Sequence, residues 1–94
     1  MSNHEINISV AEKLEKPFSF DKNKVFLLTN KFKQQEYSPS TICTEAVDLA
    51  KKFKISVNWD NHKPGYMYIT NGFECVHTKN FERGICEVFL MTNY

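Results

Sequence analysis

The chain has 94 residues, of which 41% are hydrophobic and 14% aromatic, and its formal net charge is +1. This length and composition predict one folded domain, residues 1–94, with a single modest core rather than a disordered chain. The near-neutral charge argues against a DNA mimic, which would be strongly acidic, and against a dedicated duplex binder, which would be basic.

The first 23 residues are open to two interpretations. Three apolar residues alternate as in a strand: Ile6, Ile8 and Val10. Ser9 followed by Glu12 is instead typical of a capping box, and would start a short helix that ends before Pro17. The N-terminus shows neither a leader peptide nor an apolar run of transmembrane length. We therefore expect a cytoplasmic protein with reduced thiols and no membrane contact.

Lys24–Thr29 is a compact apolar run, which predicts a central strand buried on both faces. Val25–Asn30 recurs almost unchanged as Val88–Asn93 near the other end of the chain. We interpret the two copies as two central strands in similar environments, and we expect the last strand over Ile85–Thr92. The polar stretch Lys31–Tyr37 is typical of a loop or a short helical turn.

The clearest predicted helix covers residues 39–54. Ser38 can cap it, and Pro39 suits the first helical position because its missing N–H would be unpaired there anyway. Four apolar residues form one stripe at helical spacing: Ile42, Ala46, Leu49 and Phe53. Lysines close to the end suit the helix dipole.

Residues 55–60 alternate between apolar and polar, which predicts a strand with one solvent-exposed face, and residues 61–65 are predicted to form a loop. Strands concentrated after the helix predict an α+β domain with an antiparallel-rich sheet of about five strands. The amphipathic helix 39–54 would pack on one face of that sheet. A helix connection between the first two strands would make that one pair parallel.

Asn71-Gly72 lies between two alternating runs and predicts a two-residue type I′ hairpin, in which both turn residues have positive φ. That turn would place Tyr68 opposite Cys75. Because strand side chains alternate, one face then carries core residues: Met67, Ile69 and Val76. The other face is aromatic and polar: Tyr66, Tyr68, Thr70, Phe73, Cys75 and His77.

No arrangement of residues in the sequence favours an enzyme. Cys75 and His77 share a strand face, but side chains two residues apart are roughly 7 Å from each other, too far for the imidazole to activate the thiol. A zinc site using Cys75, His77, Cys86 and His62 would have one close ligand pair where structural sites normally have two. We expect no catalytic residues, no metal and no cofactor.

The aromatic face is the predicted partner-binding site, because tyrosine is enriched at protein interfaces. The predicted site residues are Tyr66, Tyr68, Phe73, His77, Lys63 and Arg83. We expect a protein partner, with homodimer formation through the same face included; single-stranded nucleic acid stacked on the rings is the alternative. Eleven lysines against one arginine fit an AT-rich genome, and hence a phage or mobile-element inhibitor of a host enzyme or defence nuclease. The face is either open to a partner or covered by residues 1–23.

Overall fold

The computed structural model describes residues 2–30 and 33–92, and within them the chain is an α+β protein with three helices and six strands. The elements in chain order are α1 Asn3–Lys13, β1 Phe18–Phe20, β2 Val25–Asn30, β3 Lys33–Glu36, α2 Cys43–Phe53, β4 Ser56–Trp59, β5 Met67–Thr70, β6 Cys75–Thr78 and α3 Phe81–Met91. The α+β class is confirmed. The strands form two sheets, however, where a single sheet of about five strands was expected.

Both sheets have three strands and only antiparallel pairing: sheet A in the order β1-β2-β3 and sheet B in the order β4-β5-β6. The expected parallel pair is therefore wrong. β2 is a central strand as predicted, but it is not buried on both faces. Val25 is 1% exposed, whereas Leu28, whose side chain is on the opposite face of the strand, is 42% exposed.

The N-terminal segment is helical from its beginning. The hydroxyl of Ser2 accepts a hydrogen bond from the Glu5 amide at 3.1 Å, and the Glu5 carboxylate accepts one from the Ser2 amide at 3.2 Å. The strand interpretation of this segment is therefore wrong, and the helix interpretation is right in kind but begins too late, because the capping box starts α1 at Ser2 and not at Ser9. The buried stripe of the helix contains Ile6, Val10 and Ala11.

The predicted helix 39–54 is confirmed in its interior but begins four residues later, at Cys43. Pro39 and Ser40 are buried in a turn ahead of it. The buried side chain of Asn7 holds this turn against α1, since its Oδ1 accepts from the Ser40 amide at 3.1 Å and its Nδ2 donates to Ser38 Oγ at 3.0 Å. The stretch predicted as a loop contains β3, while Lys31 and Phe32 lie outside the described residues.

Residues 85–92, predicted as the last strand, belong instead to α3. The Asn80 side chain accepts a hydrogen bond from the Arg83 amide at 3.1 Å and so caps the helix N-terminus. The buried side of α3 has helical spacing: Gly84, Ile85, Cys86, Val88 and Phe89. This pattern repeats every three to four residues and not every two, which is why the strand prediction fails.

α3 is the centre of the fold. It covers the face of sheet B that carries Met67 and Ile69, while α2 and α1 pack against its other sides. The helix expected on that sheet, 39–54, therefore packs on α3 instead. A Cβ atom at Gly84 would lie 2.7 Å from Thr78 Cγ2 and closer still to Ile69 Cδ1, so glycine permits the close approach of helix and sheet.

The C-terminal end of α3 is closed by a side chain from α1. Lys13 Nζ donates to the carbonyl oxygens of Phe89 at 2.8 Å and Leu90 at 3.3 Å, and it also contacts the carbonyl oxygen of Thr92. A cation at this position interacts favourably with the carbonyl oxygens of the last helical turn. In the described parts of the chain, no helix combines the length and apolar character that a membrane crossing requires.

Candidate functional site: the outer face of sheet B

The hairpin that organises the candidate site has a longer turn than predicted. Thr70 pairs with Cys75 and Tyr68 pairs with His77, so residues 71–74 form a four-residue loop. The side-chain Oδ1 of Asn71 accepts hydrogen bonds from the amides of residues 73 and 74, at 2.8 and 2.7 Å. Of the Asn-Gly pair only Gly72 has positive φ, +98°, whereas a type I′ turn needs both. The predicted register is therefore wrong by two residues.

A shift of two residues leaves every side chain on its predicted face, because side chains alternate with a period of two. Met67 and Ile69 are 4% and 0% exposed beneath α3, which confirms the predicted core face. The opposite side is called here the outer face of sheet B, and it consists of Asn58, Tyr66, Tyr68, Cys75 and His77.

The outer face is open. Tyr68 is 41% exposed, and Cys75 and His77 are exposed on the neighbouring strand. Residues 2–23 do not cover it: α1 packs against α3 and β2, and β1 belongs to sheet A. Of the two alternatives left open by the sequence, coverage by the N-terminal segment is therefore wrong.

Four of the predicted site residues lie together on this face. The His77 ring is stacked on Tyr68, with ring centroids 4.6 Å apart and planes at 22°, and it also contacts Tyr66 at 5.2 Å. Lys63 Nζ lies 4.1 Å from the centroid of the Tyr66 ring, a cation–π distance. The result is a continuous aromatic surface with a cation at one end.

Asp60, which the sequence did not single out, fixes the cluster in place. Its Oδ2 lies 2.9 Å from His77 Nε2, and its Oδ1 accepts from the His62 amide at 2.8 Å. The hydrogen bond from the His62 amide, together with the one to His77, lowers the pKa of the Asp60 carboxyl. The Asp60 amide donates to the Tyr66 carbonyl oxygen at 3.0 Å, so both ends of the loop are tied.

The structure places the other two predicted residues outside this cluster. Phe73 is at the hairpin tip and is 96% exposed. Arg83 is on α3, on the side of sheet B that the helix covers, where Nη1 donates to Asn3 Oδ1 at 3.1 Å and Nε lies 3.4 Å from Glu87 Oε1. The expectation that Arg83 flanks the aromatic face is therefore wrong, because residues 81–91 are helical.

Within the described residues, the hydrogen-bond partner of the His77 imidazole is a carboxylate and not a thiol. His77 contacts Asp60, and within residues 2–30 and 33–92 no hydrogen bond joins it to Cys75. Cys86, the second cysteine of the zinc hypothesis, is buried in α3. Over the same residues no group of three or more His, Cys, Asp or Glu side chains is arranged to hold a metal ion.

Comparisons of the chain with protein-family models, with curated proteins and with solved structures found no match. Function is therefore inferred from the outer face of sheet B. The outer face has the chemistry of a surface that contacts another molecule. Two tyrosine rings and an imidazole present apolar area, while hydroxyls, an amide and an ammonium group supply polar contacts.

Proposed function

We propose that this protein is a small non-enzymatic protein-binding module and that the outer face of sheet B is its binding surface. The single observation that carries the proposal is the Tyr68–His77 stack at the centre of an open sheet face. A large aromatic side chain that is 41% exposed, and flanked by further rings, has the composition of an interface centre.

The cluster is also organised before any partner arrives. Stacking against His77 restricts Tyr68, the hydrogen bond with Asp60 restricts His77, and Lys63 lies over the Tyr66 ring. Side chains that are already held in place lose less conformational entropy on binding, so more of the contact energy contributes to affinity.

Single-stranded nucleic acid is the alternative ligand. Lys63 and Lys79 are exposed close to the aromatic rings and would meet phosphates. Base stacking, however, needs a free ring face, and one face of Tyr68 is occupied by His77. The only arginine, Arg83, lies on the other side of sheet B. These features favour a protein partner over nucleic acid.

The biological role that we propose is inhibition of a host enzyme or defence nuclease by a cytoplasmic phage or mobile-element protein. Eleven lysines with a single arginine support an AT-rich genome of origin. Three free cysteines, Cys43, Cys75 and Cys86, suit a reducing compartment. A binder without catalytic groups acts by occupying a surface of its partner.

Affinity capture from a host lysate tests the proposal. The bait is the whole chain, compared with Tyr68→Ala/Phe73→Ala, which removes Tyr68 from the proposed surface and Phe73 from the adjoining hairpin tip, and with Phe20→Ala/Leu28→Ala as the matched control. The control removes two exposed apolar side chains from sheet A, which are 60% and 42% exposed. We expect the captured protein to be lost with the first variant and retained with the control, while circular dichroism shows both folded.

Two results would contradict the proposal. One is unfolding of Tyr68→Ala/Phe73→Ala, which would make the face part of the core. The other is fluorescence anisotropy that shows a single-stranded oligonucleotide binding at low salt, weakening steeply as salt rises and depending on Tyr68, which would favour the nucleic-acid alternative.

A further inference from the structure

The last strand of sheet B has an edge whose backbone groups are open to another chain. β6 pairs with β5 on one side only. The Asn71 amide donates to the Glu74 carbonyl oxygen at 3.3 Å, and hydrogen-bonded pairs alternate along an antiparallel ladder, so Val76 is bonded to β5. The N–H and C=O groups of Cys75 and His77 therefore point away from β5, and within the described residues no hydrogen bond engages them.

β6 lacks the features that discourage an edge strand from pairing with another chain. Native proteins protect such edges with bulges, prolines or lysines. β6 pairs with β5 in an unbroken register, and its four residues include neither proline nor lysine. Cys75 and His77 are both exposed. An extended backbone can therefore reach this edge and continue the sheet.

A cavity of about 250 Å³ adjoins the same edge on the helix side of sheet B. Val76 pairs with Ile69, which is buried beneath α3, so both side chains are on that side. A cavity of about 150 Å³ already admits benzene, so this space can hold one branched aliphatic or aromatic side chain. The cavity is called here the β6 groove, and its lining residues are Ile6, Val76, Arg83, Glu87, Leu90 and Met91.

The chemistry of the β6 groove suits an uncharged apolar side chain. Its two charged residues form an ion pair with each other, since Arg83 Nε lies 3.4 Å from Glu87 Oε1. The other lining residues are apolar. Met91 is 41% exposed, and a flexible methionine side chain adapts readily to the shape of a bound group.

We infer that β6 and the β6 groove together bind an extended segment of a partner polypeptide, which joins sheet B as a fourth strand. The occupant is an extended chain because only an extended backbone pairs with the open edge, and it has an apolar side chain because the groove beside that edge is apolar. This is a second binding surface beyond the proposed function, since the groove and the outer face are on opposite sides of sheet B.

The register of the added strand follows from the alternation of side chains. In antiparallel pairing, the segment residue opposite Val76 has its side chain on the helix side, in the β6 groove. The residues before and after it exchange backbone hydrogen bonds with Cys75 and His77, and their side chains are on the other side of the sheet. The recognised pattern is therefore one apolar residue between two strand-forming polar residues.

NMR titration of the ¹⁵N-labelled whole chain with a capped peptide, Ser-Thr-Leu-Thr-Ser, tests the inference. We expect saturable shifts of the Cys75 and His77 amides at micromolar to millimolar peptide. The matched control peptide is methylated on both threonine nitrogens, which removes two hydrogen-bond donors and keeps the leucine. Its dissociation constant should be about tenfold higher or more. A peptide with serine in place of leucine should lose affinity to a similar extent.

Two variants locate the site on the protein. Met91→Lys places a charge in the β6 groove and should raise the dissociation constant about tenfold. Trp59→Lys makes the same change at a 68% exposed side chain on β4, the opposite edge strand, and should bind the peptide as wild type does. Circular dichroism checks that both variants fold. If Met91→Lys does not fold, the comparison of the leucine and serine peptides decides whether the groove is used.

Three results would overturn the inference: no shifts at millimolar peptide, equal affinity for the N-methylated peptide, or shifts confined to residues 56–59. The proposed function is tested separately, because capture through the outer face depends on Tyr68, whereas the peptide site depends on the edge and groove of β6. Failure of peptide binding therefore leaves the proposed function standing. Capture that is unaffected by Tyr68→Ala/Phe73→Ala removes the proposed function and leaves the peptide site standing.

Discussion

His77 Nε2 lies 2.9 Å from Asp60 Oδ2, and this contact joins the last strand of sheet B to the loop that follows the first. The central strand β5 lies between them and places Tyr68 beside His77. This hydrogen bond therefore ties β6 to the loop of residues 61–65 across the strand that carries Tyr68. It is the reason that a small open sheet presents an ordered aromatic surface.

Acid should weaken the fold through Asp60. Its pKa is lowered in the folded chain, so the charged carboxylate contributes stability that is complete above the ordinary aspartate pKa and is lost as pH falls through the lower folded value. Urea unfolding at neutral pH and at about pH 3 should show a smaller loss for Asp60→Asn than for wild type. Parallel losses in the two proteins would show that the Asp60 contact contributes nothing.

Replacing Gly84 by alanine should destabilise the protein although alanine is the better helix former. The new methyl group would meet Thr78 Cγ2 and Ile69 Cδ1 in a packed interior. Overpacking costs about 1–3 kcal/mol and the helix gains about 1 kcal/mol, so we expect a net loss of up to about 2 kcal/mol in the free energy of unfolding.

Ile69→Val provides the matched test of that clash. It removes the Cδ1 atom that the new methyl group would meet, at a cost of its own of about 1 kcal/mol. The double variant Ile69→Val/Gly84→Ala should be more stable than the sum of the two single losses predicts, as measured by chemical denaturation. Simple additivity would mean that Gly84 is not needed for the approach of α3 to β5.

Lys13→Gln should loosen the C-terminal end of α3. The ammonium group donates to the carbonyl oxygens of Phe89 and Leu90, and charged hydrogen bonds to a helix end contribute about 1–2 kcal/mol. We expect a loss of that size in the free energy of unfolding and faster amide exchange in residues 88–91. Lys16→Gln, on the exposed turn after α1, is the control, and an equal effect there would contradict the capping role.

The three thiols should react in two classes. Cys43 and Cys75 are exposed, whereas burial of Cys86 in α3 raises the pKa of its thiol to about 12. Ellman's reagent should therefore titrate two thiols rapidly in the native protein and the third only after denaturant is added. Reaction of all three at one rate would show that α3 does not form the core.

The near-repeat Val25–Asn30 and Val88–Asn93 shows why part of the fold was not predictable from local sequence. The first copy is β2, whereas residues 88–91 of the second are in α3, and Asn93 lies outside the described residues. Apolar runs of six residues fit either a strand or a buried helix. Residues outside the run determine that the second copy is helical: the Asn80 side chain caps α3, and Gly84 leaves space for the helix against sheet B.

The faces of the hairpin were predictable although its turn was not. A register error of two residues preserves which side chains share a face, so Met67 and Ile69 were placed correctly in the core and Tyr68 and His77 correctly opposite them. Asp60 was missed because its contact with His77 depends on the path of the loop after β4. Two sheets could not be inferred, because pairing between distant strands leaves no local pattern.

Hydroxyl-radical footprinting of the chain, free at low concentration and in its captured complex, tests the central claim most directly. We predict that oxidation of Tyr68, His77 and Phe73 slows in the complex, while Phe20 on sheet A and Met91 on α3 react as in the free chain. Protection of Phe20 or Met91, with Tyr68 and His77 still oxidised at the free rate, would contradict the assignment of the outer face of sheet B as the binding surface.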